Sequence, residues 1–303
     1  MTDPFSTTAA PAAETKWYAD WQHQQHASHF DGRASLPDAD LVRNFASFND
    51  VRLLGERLER SRPVSLLEIG CATGEFYRYL KIVHPQVRYY GVDISHAAIA
   101  RAKEKYPEAR IVPVEPKAKL AEAIERIGLA ARPEIVWCKD VIHHQTDPFG
   151  LLHELLGAAS EAVILRTRTR DVGPTVMDPE HSCQYHYDGW MPYLVLNLQE
   201  LVDAIRRGAP EAEGVVYRHH MILGGRENRF LPKDCYLPST GTAETAVGIF
   251  RTTNHPGRVT ITDRTDMNVA YPLSWRVQRY CSRLLSPRRP ARRGRHPMHQ
   301  PCP

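Results

Sequence analysis

No apolar stretch of the 303-residue chain approaches the roughly 18 residues needed to cross a bilayer. The opening MTDPFSTTAAPAAETK lacks the basic end and apolar run of a secretory signal. Together these absences lead us to expect a cytoplasmic protein. The six cysteines, Cys71, Cys138, Cys183, Cys235, Cys281 and Cys302, include no pair at metal-ligand spacing, so neither a zinc site nor a disulfide framework is indicated and reduced, mostly buried thiols are expected. Acids are missing from Arg276 to the end, where eight arginines stand. The formal net charge of +4 therefore divides into a body of about −4 and a tail of about +8. A body of that sign does not ask for a nucleic-acid substrate; the tail is suited only to touching something anionic. With 42% hydrophobic residues, there is enough apolar material for one large domain with appendages.

The most informative stretch is SLLEIGCATGEFYRYLKIVHPQVRYYGVDIS, Ser65 to Ser95. Leu66, Leu67 and Ile69 form a short buried strand, and the turn Gly70, Cys71, Ala72, Thr73, Gly74 can direct backbone N–H groups at a ligand. Glu75 to Val83 supplies a helix and Val87 to Val92 a second strand. Asp93 closes that strand, where a doubly wound sheet holds the two hydroxyls of a ribose. The Gly-x-Gly-x-x-Gly of a dinucleotide fold is missing, because glycines stand only at 70 and 74. Glu68 would also be a poor neighbour for a pyrophosphate. An acid at that place suits a cation or an amino group.

LEIGCATGEF followed by YYGVDIS resembles the first two motifs of the class I S-adenosylmethionine-dependent methyltransferases, with Ala72 where the family pattern has a glycine. PEIVWCKDVIHHQTDP, Pro133 to Pro148, resembles the family's fourth strand and loop, and EAVILRTRT, Glu161 to Thr169, its fifth strand. The similarity covers roughly residues 63–252. It implies a doubly wound, mostly parallel α/β sheet, S-adenosyl-L-methionine as methyl donor, and a set of site residues. Glu68, Gly70, Cys71, Ala72 and Gly74 would hold its methionine part, Asp93 with Ile94 beside it the ribose, and Glu115 the adenine amino group. Asp140 would receive the ammonium or the substrate.

The domain expected at 63–255 is preceded by a polar segment, 1–13, whose composition predicts disorder, and by a helical cap, 14–62. In the cap, Trp17 and Trp21 share a helical face that either packs on the sheet or lies over the cleft. Asp38 can cap a second helix carrying Leu41, Phe45, Phe48, Leu54 and Leu58. Further strands are expected at Arg110 to Val114, Glu134 to Cys138, Ala162 to Thr167, Gly214 to Leu223 and Glu244 to Thr252, the last two forming an antiparallel hairpin in the resembling family. Past residue 255, Arg258 to Thr262 alternates like one more strand. Leu273 to Leu285 can form an amphipathic helix before a tail whose composition again predicts disorder.

Lys139, Asp140, His143 and His144 follow the fourth strand, at the end of the sheet where ligands sit. A neutral imidazole there can take a proton from an attacking hydroxyl or amine, although histidines in such a loop can also be structural. Residues 169–197 are too long and too rich in aromatics for a plain connection, holding His181, Tyr185, His186, Tyr187, Trp190 and Tyr193. We expect this insertion to bind the acceptor, with His186 joining His143 and His144 as candidates for catalysis. Asp178, His181 and His186 have no metal-site spacing, and no metal is expected.

The expected function is transfer of the methyl of S-adenosylmethionine to an oxygen or nitrogen of a small molecule, such as a secondary metabolite, a sugar or a lipid-linked compound. Two alternatives stand beside it. In one, the basic segment Arg276–Arg295 recruits the enzyme to RNA or to an anionic membrane. In the other, the chain is a Rossmann-like reductase or a non-catalytic nucleotide-binding module.

Overall fold

The structure, a computed structural model, describes residues 35–263 apart from 59–61, 117, 187–188, 222, 225–227 and 252–253. Trp17, Trp21, Tyr187 and the basic tail from Arg276 lie outside the described residues. Two helices, α1 (Asp38–Ala46) and α2 (Asn49–Leu58), come first. There follow β1 (Ser65–Ile69), α3 (Glu75–Val83), β2 (Arg88–Asp93), α4 (His96–Lys105), β3 (Arg110–Pro113), α5 (Leu120–Arg126) and β4 (Ile135–Lys139). A short 3-10 turn, Ile142–His144, leads into α6 (Pro148–Ala158) and β5 (Ala162–Arg170). Next come β6 (Cys183–His186), β7 (Gly189–Pro192), β8 (Leu196–Asn197), α7 (Leu198–Gly208), β9 (Glu213–His220), β10 (Arg229–Phe230), β11 (Ala243–Phe250) and β12 (Val259–Asp263).

The main sheet runs β12-β9-β11-β5-β4-β1-β2-β3, with β8 on the far end of β5. From β3 to β5 every pair is parallel, whereas β11 is antiparallel to β5 and to β9. The central strands are apolar on both faces because helices cover both. Leu67, Ile69, Val136, Cys138, Val163 and Leu165 meet α5, α6 and α7, while Leu66, Tyr89, Ile135, Trp137 and Ile164 meet α1 to α4. Chain direction across the sheet reverses between β1 and β4, which opens a crevice beyond their carboxyl ends.

Local signals account for three of the seven helix starts among the described residues. The Ser95 hydroxyl accepts the Ala98 N–H at 3.2 Å, Asp147 accepts Gly150 N–H at 2.8 Å ahead of Pro148, and Asn197 accepts Glu200 N–H at 3.0 Å. Asp38 departs from expectation: it is the first helical residue rather than the cap, Pro37 takes the cap position, and Asp38 instead binds Arg78. The single helix expected there is broken at Ser47, and α5 carries no signal that we had read. β5 runs three residues past the predicted Thr167, because β11 pairs with it in register as far as Thr169. Cys71, Cys138 and Cys235 are free and buried, while Cys183 is engaged in a disulfide, contrary to the expectation of reduced thiols throughout. Among the described residues no helix is long and apolar enough to cross a membrane.

Residues 169–197 form no open loop. β6 and β7 make a hairpin that β10 joins, giving a small three-stranded sheet over the crevice. It is tied down by Leu194 N–H to the His143 carbonyl at 2.8 Å and by the Ser182 hydroxyl to the Tyr193 carbonyl at 2.7 Å.

Candidate active site

One cavity of about 450 Å³ runs from the carboxyl ends of β1, β2 and β3 to the underside of the three-stranded sheet. The turn after β1 enters it through backbone geometry. Gly70 has φ of +78°, and a Cβ there would stand 2.3 Å from Val141 Cγ2, so glycine is required on both counts. Ala72 sits at φ of +46°, a conformation that costs an L-residue about 1 kcal/mol or more. Its N–H is thereby turned onto Asp93 Oδ2 at 2.8 Å. Replacing Ala72 with glycine should therefore leave ligand binding intact while raising stability by up to about 1 kcal/mol, read from the denaturation midpoint at unchanged slope. A loss of stability would mean that the alanine methyl packs better than its backbone is strained.

Glu68 and Asp93 are both buried at this end. The Tyr89 hydroxyl donates to Glu68 Oε2, and burial, opposed by that bond, pushes the Glu68 carboxyl up to about 8. Asp93 Oδ1 accepts Ser95 N–H at 2.8 Å and Oδ2 accepts that of Ala72. Burial raises its carboxyl while those N–H groups pull it down. Cys71, Ile94 and Glu115 also line the cavity, Glu115 from an exposed position 3.9 Å from His96 Nε2. Gly74 does not line it. It caps α3 at φ of +82° and shapes the turn from behind.

The opposite end carries Lys139 from β4, Arg166 and Arg168 from β5, and Gln184, His186, Met191, Tyr193 and Arg229 from the segment above. Asp140 stands between them in a left-handed conformation, φ +57°. Its Oδ1 accepts from Arg166 Nε at 2.9 Å and from Arg168 Nη1 at 3.1 Å, and its Oδ2 from Arg166 Nη2. Burial works against it, yet these two guanidinium groups hold the carboxyl well below the usual range. The Asp140 carboxylate is thus committed to arginines, which corrects its expected role towards the cofactor's ammonium. Below it Asp50 is wholly buried, 3.9 Å from Arg166 Nη1, with neither oxygen hydrogen-bonded.

Both histidines of the β4 loop reach the cavity. His144 Nδ1 lies 2.6 Å from the Pro192 carbonyl, which can only accept, so Nδ1 carries the proton and Nε2 is the ring's acceptor. Burial lowers its pKa to about 4. His143 is also held well below the ordinary value by burial, by His144 and by Arg168, and its Nδ1 reaches no hydrogen-bond partner among the described residues. Both rings meet Tyr193 edge-on, at 5.2 and 5.8 Å.

His181 is exposed and paired with Asp178 at 2.7 Å, outside the cavity, and Tyr185 faces solvent. Among the described residues no group of three or more His, Cys, Asp or Glu side chains could hold a metal. The residues that sequence reasoning passed over are Arg166, Arg168 and Arg229. The first two were legible as Arg-Thr-Arg-Thr-Arg, Arg166 to Arg170, a period-2 pattern that turns alternate arginines to one face of a strand. Arg229, far along the chain, carried no local signal.

Residues 67–161 match a family model described as a methyltransferase domain. No curated protein sequence matches the chain. Among solved structures, the O-methyltransferase from a trans-AT PKS multienzyme of Brevibacillus brevis, in complex with S-adenosyl-L-homocysteine, is 12% identical, with 69% of this chain and 73% of that one covered and a TM-score of 0.48. The plantazolicin methyltransferase BpumL in complex with SAH is 16% identical over 78% of this chain and 93% of its own, at 0.46. The N-terminal domain of EvdMO1 with SAH bound is 14% identical over 67% and 81%, at 0.44.

Proposed function

We propose that the chain, which carries a methyltransferase domain over residues 67–161, is a class I S-adenosylmethionine-dependent methyltransferase that methylates an oxygen or nitrogen of a small molecule held beneath the three-stranded sheet. The reductase and the non-catalytic nucleotide module are set aside by the family match. The observation that supports the small acceptor is the continuity of the cavity. Its volume of about 450 Å³ joins Glu68 and Asp93 to His144 and Tyr193 and lies in the range of small-molecule sites.

The residues present fit the donor. A buried acid with only a phenol for a partner suits a cationic group, and Asp93, pinned through two backbone N–H groups, keeps further lone pairs for a ribose. When bound, S-adenosylmethionine supplies a methyl group on a positively charged sulfur, already activated for transfer. We assign Glu68, Gly70, Cys71 and Ala72 to its methionine part, Asp93 and Ile94 to the ribose, and Glu115 to the adenine edge. Asp140 organises the arginines instead. The chain's main contribution is alignment of the reactants, to which Phe45, Trp137 and Met191 give apolar walls. Of the three histidines considered for catalysis, His144 is the best placed to take a proton from the acceptor, because the Pro192 carbonyl holds its tautomer.

Calorimetry with S-adenosylhomocysteine, against nicotinamide cofactors as controls, tests the donor assignment. Glu68 is protonated in the free cleft below about pH 8, and an ammonium beside it favours the ionised form. Binding should therefore release a proton, and affinity should climb from about pH 6 to about 8 by at most tenfold per unit before levelling. Flat affinity over that interval would show that Glu68 does not ionise against the ligand.

A further inference from the structure

Resting on the reading just given, we infer that the acceptor is an organic anion, a carboxylate or a comparably ionised oxygen on an apolar body, gripped between Arg168, Arg229 and the Tyr193–His143 corner. The cavity is polarised along the sheet. Glu68, Asp93, Glu115 and Glu154 line the end where the donor is assigned. At the other end, among the described residues, the charged lining consists of four cations, Lys139, Arg166, Arg168 and Arg229, and one acid, Asp140. From β2, which ends in Asp93, to β5, which carries Arg168, the sheet crosses three strand spacings, about 14 Å. The cations therefore stand beyond the donor's ribose, on the acceptor's side.

Two features make this end a built recess. Tyr193 is its hub: the hydroxyl accepts from Arg168 Nε at 3.0 Å, and the Arg229 guanidinium lies 4.3 Å over the ring. Gln184 steadies Arg229 through a 2.8 Å bond to its Nε. His143 is the second feature. It is 1% exposed, it lines the cavity, and its Nδ1 has no hydrogen-bond partner among the described residues, an arrangement that costs free energy unless a ligand supplies one.

Guanidinium groups are expensive to bury and are held here by acceptors of the chain. Asp140 bonds Arg166 and Arg168, and Glu244 lies 3.4 Å from each. Asp50 makes no hydrogen bond to either, and burial, outweighing Arg166, pushes it towards the protonated form. A ligand oxyanion would complete the set with charge-assisted bonds to planar, bidentate donors. The remaining walls, Phe45, Trp137 and Met191, suit a flat apolar body.

Benzoate and its neutral isostere benzamide are the probes, titrated by calorimetry into the protein with and without saturating S-adenosylhomocysteine. Benzoate should bind the loaded protein at least about tenfold more tightly than benzamide. Arg229→Gln should bring the two ligands to within about twofold, and Arg229→Lys should restore part of the preference. Arg168→Gln should act alike, and Arg229→Gln decides the matter if the ion-paired Arg168 variant does not fold. Equal binding of benzoate and benzamide would overturn the inference. So would a loss of S-adenosylhomocysteine affinity in Arg229→Gln, since the cations would then serve the donor's own carboxylate. If S-adenosylhomocysteine fails to bind the wild-type protein, the donor assignment is at fault, and the benzoate preference is still decided on the unloaded protein.

Discussion

Asp93→Ala should raise the dissociation constant for S-adenosylhomocysteine by roughly a hundredfold, because a carboxylate that accepts both ribose hydroxyls contributes about 3 kcal/mol through a charge-assisted pair. The structure adds a second cost. Asp93 also receives the N–H groups of Ala72 and Ser95, each at 2.8 Å, so alanine leaves two buried donors without their acceptor and the turn should loosen. Asp93→Asn separates the two effects. Its amide oxygen can keep one of those N–H bonds, so it should melt closer to the wild type while still binding the ligand weakly. Calorimetry paired with a thermal melt reads both quantities, and a change of less than threefold in a well-folded variant would remove Asp93 from the ribose site.

Arg166→Met should be the most destabilising single substitution in the cleft. Arg166 is 5% exposed, bonds both oxygens of Asp140, lies 3.4 Å from Glu244, and is the nearest cation to Asp50. Removing one member of a buried ion cluster strands the others without compensation and costs about 3–5 kcal/mol, which is roughly 6–20 °C of melting temperature for a domain of this size. Because the stranded partner is chiefly Asp140, Arg166→Met with Asp140→Asn should recover a large part of that loss. If the double variant melts no higher than the single one, the penalty lies in the methionine's packing against Phe48, whose ring the guanidinium covers at 4.3 Å.

The end of the cleft where the donor is proposed to bind is local in the chain. Glu68, the glycine turn and Asp93 lie within 26 consecutive residues, and strand, turn, helix and strand dictate where each ends up. The same holds for the helix cap Ser95 and for the histidine pair after β4, since a βα loop at that edge can only face the crevice. Even the departure at Ala72 was visible as a residue, although its left-handed backbone was not.

What the tertiary structure decided is the other end of the cleft, which depends on partners far apart in sequence. The insertion after β5 read as an aromatic loop. Its outcome as two strands of a small sheet required β10, more than 40 residues on, to pair Arg229 with Gln184. Asp140 read as a free acid facing a cation. Two arginines 26 and 28 residues away claim its carboxylate, and no local pattern announces a contact made across neighbouring strands. Pairing across a sheet is set by packing of whole faces rather than by neighbours in the chain. The sequence therefore determined where the glycine turn and Asp93 lie, and only the folded sheet brought Lys139, Arg166, Arg168 and Arg229 to one end of the cleft.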